Sequence, residues 1–172
     1  MRYVRIIIVS LMLLTTQLLA GCEEQEAGVT TKLEQRGELM YQPGAREPYT
    51  GKYHEFYENG QMKSEIMYFQ GQKYGIMTLW HSDGTKAYEG EFRADKRFGT
   101  HMEWFKDSTK KSQTRYDNDH KHGVEIIWYP NGNKMSEIEY KFDQKDGRAQ
   151  GWFQDGKPIY DNHYRRGIQR LE

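Results

Sequence analysis

Four acidic residues recur at a fixed spacing along this chain, Glu65, Glu89, Glu137 and Asp161, with Gln113 interrupting the row. Paired carboxylates serve as general acid and base in glycoside hydrolysis, roughly 5 to 5.5 Å apart in a retaining enzyme and ~6.5 to 9.5 Å apart in an inverting one. Neighbours in this row stand one sequence period apart, which on a sheet is about 10 Å. The row therefore reads as a solvated line of charge. His120 and His122 flank Lys121, with Asp117 and Asp119 close by, the nearest approach to a metal-ligand cluster among six histidines. A zinc or copper site needs further ligands held at fixed geometry, which a turn between strands supplies poorly. No metal and no cofactor is expected. Cys22 is the single cysteine, so no intramolecular disulfide can form. No P-loop glycine pattern, HExxH, GxSxG or CxxC occurs. An enzyme is not expected.

The other candidate groups are rings. Phe56, Trp80, Trp104, Trp128 and Trp152 follow one another at intervals of 24 residues. Such a row can stack on a peptide, a glycan or a lipid headgroup, or can simply hold hairpins together. Beside Trp104 the chain is locally basic, with Lys106, Lys110, Lys111 and Arg115. The four tryptophans with Lys110, Lys111 and Arg115 are the candidate partner-binding residues.

The elements that position these groups repeat with them. A glycine returns every 24 residues, at Gly51, Gly75, Gly99, Gly123 and Gly147. A second ring follows at Tyr68, Phe92, Tyr116, Tyr140 and Tyr164, and a turn pair at Asn59-Gly60, Asp83-Gly84, Asp107-Ser108, Asn131-Gly132 and Asp155-Gly156. Self-similarity at this period marks a repeat architecture. Asn-Gly between two ring-bearing runs predicts a hairpin with a type I′ turn, in which Phe56 pairs with Lys63 and Tyr57 with Met62. A further turn at Gln70-Gly71 has counterparts at Asp95, Asp119, Asp143 and Gly167, residue types that accept the left-handed conformation. The product is an all-β, elongated, single-layer antiparallel meander of about ten strands. Ser108, where the other turns have glycine, makes the third unit the irregular one.

Composition agrees with a thin sheet. The chain is 36% hydrophobic but carries 13 tyrosines, 7 phenylalanines and 4 tryptophans. Amphipathic rings of this kind bury their faces and keep an edge wet. Formal net charge is +0, which offers no long-range field for nucleic acid. Oligomeric state is left open.

The N-terminus differs. Arg2 and Arg5 precede an apolar run from Ile6 to Ala20, too short for a comfortable membrane span. It ends in Leu19-Ala20-Gly21-Cys22, which resembles the lipobox of bacterial lipoprotein precursors. That resemblance implies cleavage of residues 1–21 and acylation of Cys22, the anchor of the mature chain to a membrane. Glu23, in place of an aspartate, leans toward the outer membrane. Residues 22–38 then read as a polar tether reaching ~20 to 25 Å, 39–50 as an N-terminal cap, 51–167 as five repeats and 168–172 as a C-terminal cap.

Within the repeats, Gly51-Lys-Tyr-His-Glu-Phe-Tyr-Glu-Asn-Gly60 and Gly123-Val-Glu-Ile-Ile-Trp-Tyr-Pro-Asn-Gly132 resemble the bacterial variant of the MORN repeat, as does the lead-in Pro48-Tyr-Thr-Gly51. The resemblance spans about Pro48 to Gly167. Members are commonly labelled antitoxin components of the YwqK type, and MORN arrays more broadly are protein-interaction and membrane-associated scaffolds. It implies an envelope lipoprotein whose sheet binds a protein partner, a toxin or an envelope protein. A carbohydrate- or lipid-binding envelope module using the aromatic row is the alternative.

Overall fold

The computed structural model describes residues 28–170. Fourteen strands succeed one another, with no helix among the described residues: β1 (Gly28–Thr30), β2 (Glu34–Arg36), β3 (Leu39–Tyr41), β4 (Gly51–Phe56), β5 (Met62–Phe69), β6 (Gln72–Trp80), β7 (Lys86–Arg93), β8 (Lys96–Trp104), β9 (Lys110–Asp117), β10 (His120–Trp128), β11 (Lys134–Lys141), β12 (Gln144–Trp152), β13 (Pro158–Arg165) and β14 (Ile168–Arg170). β4 to β14 form a continuous antiparallel meander, β1 adds to β4 in parallel, and β2–β3 make a separate hairpin.

The all-β meander is as expected, but about ten strands is an undercount. β1 and β2 lie in the stretch read as tether. Its isolated apolar residues show no strand period, yet Leu33, with Met40 from the stretch read as cap, packs against a buried cluster of Tyr49, Ile66 and Tyr68. Met40 N–H donates to the Gly71 carbonyl at 2.9 Å, and Tyr49 N–H donates to that of Met40 at 2.8 Å. The β2–β3 hairpin thus docks against the first repeat beside the Gly71 turn. Cys22 lies outside the described residues.

The Asn-Gly turn differs from expectation, while the turn between units takes the left-handed conformation expected of it. Across Asn59-Gly60, the Gly60 N–H donates to the Tyr57 carbonyl at 2.9 Å, while Tyr57 N–H donates to Gln61 O at 2.8 Å. Only Gly60 has a positive φ, 82°. This is a type I turn closed by a glycine bulge, not a type I′ turn. The extra residue shifts the ladder, so Phe56 pairs with Met62 and Glu55 with Ser64, in place of Phe56–Lys63 and Tyr57–Met62. The type I′ geometry appears between units. There both central residues are left-handed, as in Gln70 (49°) with Gly71 (80°) and Asn118 (53°) with Asp119 (71°).

Ser108 occupies the bulge position with φ 66°. A side chain there costs about 1–2 kcal/mol, against roughly 0.5–1 kcal/mol of extra chain entropy lost by glycine. Ser108→Gly is expected to stabilise the protein by about 0.5–1 kcal/mol. A urea midpoint that stays put or falls would count against strain at this turn.

The repeat glycines have their own reason. Between β5 and β6 the register jumps from Ile66↔Met77 to Tyr68↔Lys73, leaving extra residues around Gly75, whose φ is 84°. The same bulge returns at Gly123, φ 112°, between β9 and β10. Bulges bend and coil the strand that carries them, so the 24-residue glycine sets the shape of the sheet at each junction.

Candidate functional site

Strand alternation and register place one set of side chains on a common face. Tyr53, Ile66, Met77, Tyr88 and Phe92 share it at one end, and Thr114, Ile138 and Tyr160 continue it toward the other. The second rings form a column on this face, and each junction inserts a cation into it. Lys73 Nζ lies 5.5 Å from the Phe92 ring centre, Arg97 Cζ 4.0 Å from Tyr116, Lys121 Nζ 5.0 Å from Tyr140, and Lys145 Nζ 5.0 Å from Tyr164. Ring quadrupole and cation attract at such distances, so the column binds successive repeats together. Burial pushes the phenols of Tyr68 and Tyr140 up to about 12, with the Glu125 carboxylate adding to the effect at Tyr140.

Turn aspartates clasp the same junctions. Asp95, Asp119 and Asp143 each accept, through Oδ1, the backbone N–H of Lys73 (3.0 Å), Arg97 (3.0 Å) and Lys121 (2.8 Å) of the preceding unit. The backbone N–H of each aspartate returns a bond to the carbonyl of the same residue. An aspartate at the left-handed turn position therefore does two jobs: it tolerates the backbone and it ties the turns into a row.

At the middle of the array the face becomes polar. Two residues after each repeat glycine stand Tyr53, Met77, His101, Glu125 and Ala149; opposite the later members of this row stand Ile66, Gly90, Thr114 and Ile138. Met77 and Ala149 meet isoleucines. His101 meets Gly90, and Glu125 meets Thr114 at 3.3 Å. His101 is 4% exposed, among the rings of Tyr88, Phe92 and Tyr116 at 5.7, 5.3 and 5.0 Å. Its Nε2 faces the carbonyls of Glu91 (2.9 Å) and Phe98 (3.2 Å), which can only accept, so Nε2 carries the proton. Nδ1 then accepts from the Tyr88 hydroxyl at 2.5 Å. Burial lowers the His101 pKa and pushes Tyr88 up to about 12, so both are neutral at pH 7. Glu125 is 9% exposed and pairs with Lys121 at 2.5 Å. These groups satisfy one another. Sequence reading by repeat spacing passed over them; comparing the single column that begins at Tyr53 would have found them.

The expected site residues do not converge. Trp80, Trp104, Trp128 and Trp152 end β6, β8, β10 and β12, each just past a register shift, and are half-buried. Lys86 lies 5.5 Å from the Trp104 ring centre and Lys110 lies 5.6 Å from that of Trp128. Lys111 pairs with Glu103 at 2.9 Å. Arg115 packs its stem over Gly123, where a Cβ would stand 2.8 Å from its Cδ. Lys110, Lys111 and Arg115 thus serve three different neighbours. The carboxylate row is paired in place: Glu65 with Lys52, and by a hydrogen bond with His54, Glu89 with Lys86, Glu137 with Lys134, and Asp161 with Arg148 in a two-pronged contact. His120 bonds to Asp143 at 2.6 Å, and His122 packs 4.9 Å from Phe142. No group of three or more potential ligands gathers among the described residues.

The fold and face define an array of β-hairpin repeats, joined by ring–cation contacts and aspartate clasps. Two of its units are recognised individually: the family model for the MORN repeat variant matches residues 49–70 and 121–142. Each match opens two residues before a repeat glycine, so both lie in the register of the column. The chain matches none of the curated proteins.

Proposed function

We propose that this chain is an envelope lipoprotein, anchored through Cys22, whose repeat sheet is a scaffold for binding another protein, in the manner of an immunity protein that masks a toxin. The observation that carries the binding reading is the extended face itself: a row of similar units presenting rings and charges over many strands, with titratable groups at its centre mutually satisfied. Extended surfaces of this kind suit macromolecular partners. The anchor reading rests on the Leu19-Ala20-Gly21-Cys22 motif.

The alternative, stacking of sugar rings on the aromatic row, is less well supported. A sugar needs an open ring face, and cations already approach the faces of Phe92, Tyr116, Tyr140 and Tyr164 as well as Trp104 and Trp128. The test is capture from envelope extract at physiological salt, together with acyl labelling. The wild-type chain is expected to fractionate with membranes and to retain a defined protein partner. Cys22→Ala is expected to lose the acyl label and leave the membrane. Recovery of no partner would remove the scaffold reading, and a labelled Cys22→Ala chain would remove the anchor reading.

A further inference from the structure

The face opposite the ring–cation column changes character along the array. Phe69, Tyr74 and Ile76 project from it at the first junction between repeats: Phe69 pairs with Gln72 beside the turn, Tyr74 stands two residues on, and Ile76 pairs with Glu91. The rings of Phe69 and Tyr74 lie 5.9 Å apart. Val29 joins them from β1, where its parallel partner is Lys52, itself opposite Met67. Val29, Phe69, Tyr74 and Ile76 are each more than half exposed. Later junctions replace this set mostly with polar and charged side chains. Phe69 becomes Arg93, Asp117, Lys141 and Arg165; Tyr74 becomes Phe98, His122, Asp146 and Arg170; Ile76 becomes Thr100, Val124 and Arg148. Phe98 is covered by the Arg93 guanidinium, 3.5 Å from its ring centre.

On the anchor reading above, the apolar junction is the one nearest the lipid. Gly28 pairs with Gly51, and Gly51 with Tyr68. Two strand spacings, about 10 Å, thus separate Gly28 from the strand that carries Phe69. Cys22 stands six residues before Gly28. A chain spans at most ~3.3 to 3.6 Å per residue, so an acylated Cys22 lies within about 22 Å of Gly28. A tether this short keeps the first units at the bilayer surface. Contiguous exposed apolar side chains mark a contact surface, and a tyrosine ring suits the boundary between headgroups and acyl chains. Lys52 at the border of the patch pairs with Glu65 at 3.6 Å, and Arg93 with Glu91 at 2.9 Å. The attraction is therefore to the apolar boundary of the bilayer and not to anionic headgroups.

Resting on that reading, we infer that this patch is a second membrane contact: Val29, Phe69, Tyr74 and Ile76 rest in the interface of the bilayer that holds the acyl chains of Cys22. The patch is small, so it acts only once the anchor has raised its local concentration at the surface. Contact there turns the ring–cation face away from the lipid and leaves it open to a partner.

The experiment uses the acylated protein, purified from membranes and reconstituted in vesicles of zwitterionic phosphatidylcholine. Acylation consumes the Cys22 thiol, so Phe69→Cys or Lys141→Cys supplies the single free thiol for an environment-sensitive fluorophore. The two positions share one register, three units apart. For a patch seated ~5 to 10 Å into the interface, quenching by nitroxide-labelled lipid is expected to be at least about threefold stronger at Phe69→Cys than at Lys141→Cys. Tyr74→His with Ile76→Thr installs the residue types that later units carry at His122 and Thr100. The urea midpoint is therefore expected to hold while quenching at Phe69→Cys falls to the level of Lys141→Cys. Equal quenching at the two positions, or quenching that survives the double substitution at an unchanged midpoint, would overturn the inference. Disulfide-linked dimers of Phe69→Cys in place of lipid quenching would also overturn it and give the patch to a second copy. A Cys22 that carries no acyl label would remove the anchor reading and this inference with it, whereas equal quenching of the acylated protein removes the inference alone.

Discussion

Tyr68→Ala is expected to lower the free energy of unfolding by about 3–5 kcal/mol, the usual cost of removing a buried ring. Tyr68 is 5% exposed and has the Tyr49 ring at 6.3 Å and the Tyr53 ring at 6.4 Å. Leu33 and Met40, from the stretch that forms the β2–β3 hairpin, rest on the same cluster. The ring is therefore part of the cluster through which the N-terminal hairpin meets the sheet, and its loss opens a cavity there. Tyr164 holds the equivalent place in the fifth unit, but it is only half-buried and the strands around it are largely exposed. Tyr164→Ala is expected to cost less than half as much as Tyr68→Ala. Urea unfolding followed by tyrosine and tryptophan fluorescence measures both. In a repeat array, stability is a sum of unit and nearest-neighbour terms, so Tyr68→Ala should also split the transition, with the first units unfolding ahead of the rest. Equal losses at the two ends would mean that the N-terminal hairpin contributes nothing.

The difference between the ends explains which parts of the fold were legible in the sequence. Strand positions and the repeat followed from glycine, ring and turn spacing, because a two-residue side-chain period and a 24-residue unit period leave little choice of element. The turn types were not legible. Asn-Gly is compatible with a type I′ turn and with a type I turn closed by a glycine bulge, since both need a left-handed residue at the glycine. What selects the bulge is pairing on either side, which local sequence does not contain. Gln70, Ala94, Asn118, Phe142 and Arg166 then take positive φ, the first at 49°, because the two-residue connection between units requires it, whatever the side chain. The β2–β3 hairpin was hidden for a related reason: Leu33 is a single apolar residue in a polar stretch, the run Leu39-Met40-Tyr41 is too short to show a strand period, and the role of both depends on Tyr49 and Tyr68.

The site was hidden by the regularity that revealed the fold. The tryptophans repeat, and so they drew attention, but Lys86 and Lys110 bind Trp104 and Trp128 to neighbouring units. The irregular column of Tyr53, Met77, His101, Glu125 and Ala149 carries the information. There each substitution is matched by another across the ladder: histidine by glycine, glutamate by threonine, alanine by isoleucine.

Gly90→Ile tests that match. Gly90 does not have a positive φ, so its backbone accepts a side chain; the obstacle is space. A Cβ would lie 2.3 Å from His101 Nδ1 and 2.6 Å from the Tyr88 hydroxyl. The histidine must leave its pocket, breaking its bonds to Tyr88, Glu91 and Phe98. Overpacking at about 1–3 kcal/mol, with about 1–3 kcal/mol for stranded polar groups, gives an expected loss of about 2–5 kcal/mol. His101→Ala in the same chain should restore most of it, because isoleucine opposite alanine is the pair that Ile138 and Ala149 already form. Such a rescue is a coupling between the two sites that independent effects cannot produce. The pH dependence supplies a second reading of the same pair. Burial depresses the His101 pKa in the folded protein below its unfolded value of about 6.5, so below that pH the unfolded chain binds the extra proton. Its contribution to stability is complete above about pH 6.5 and is lost as pH falls toward and through the folded value. Urea midpoints measured between pH 7.5 and 5 should therefore fall more steeply for wild type than for Gly90→Ile/His101→Ala. Parallel pH profiles would show that His101 is not held neutral by the ring face, and a failure of the second substitution to rescue the first would show that the match with Gly90 is not steric.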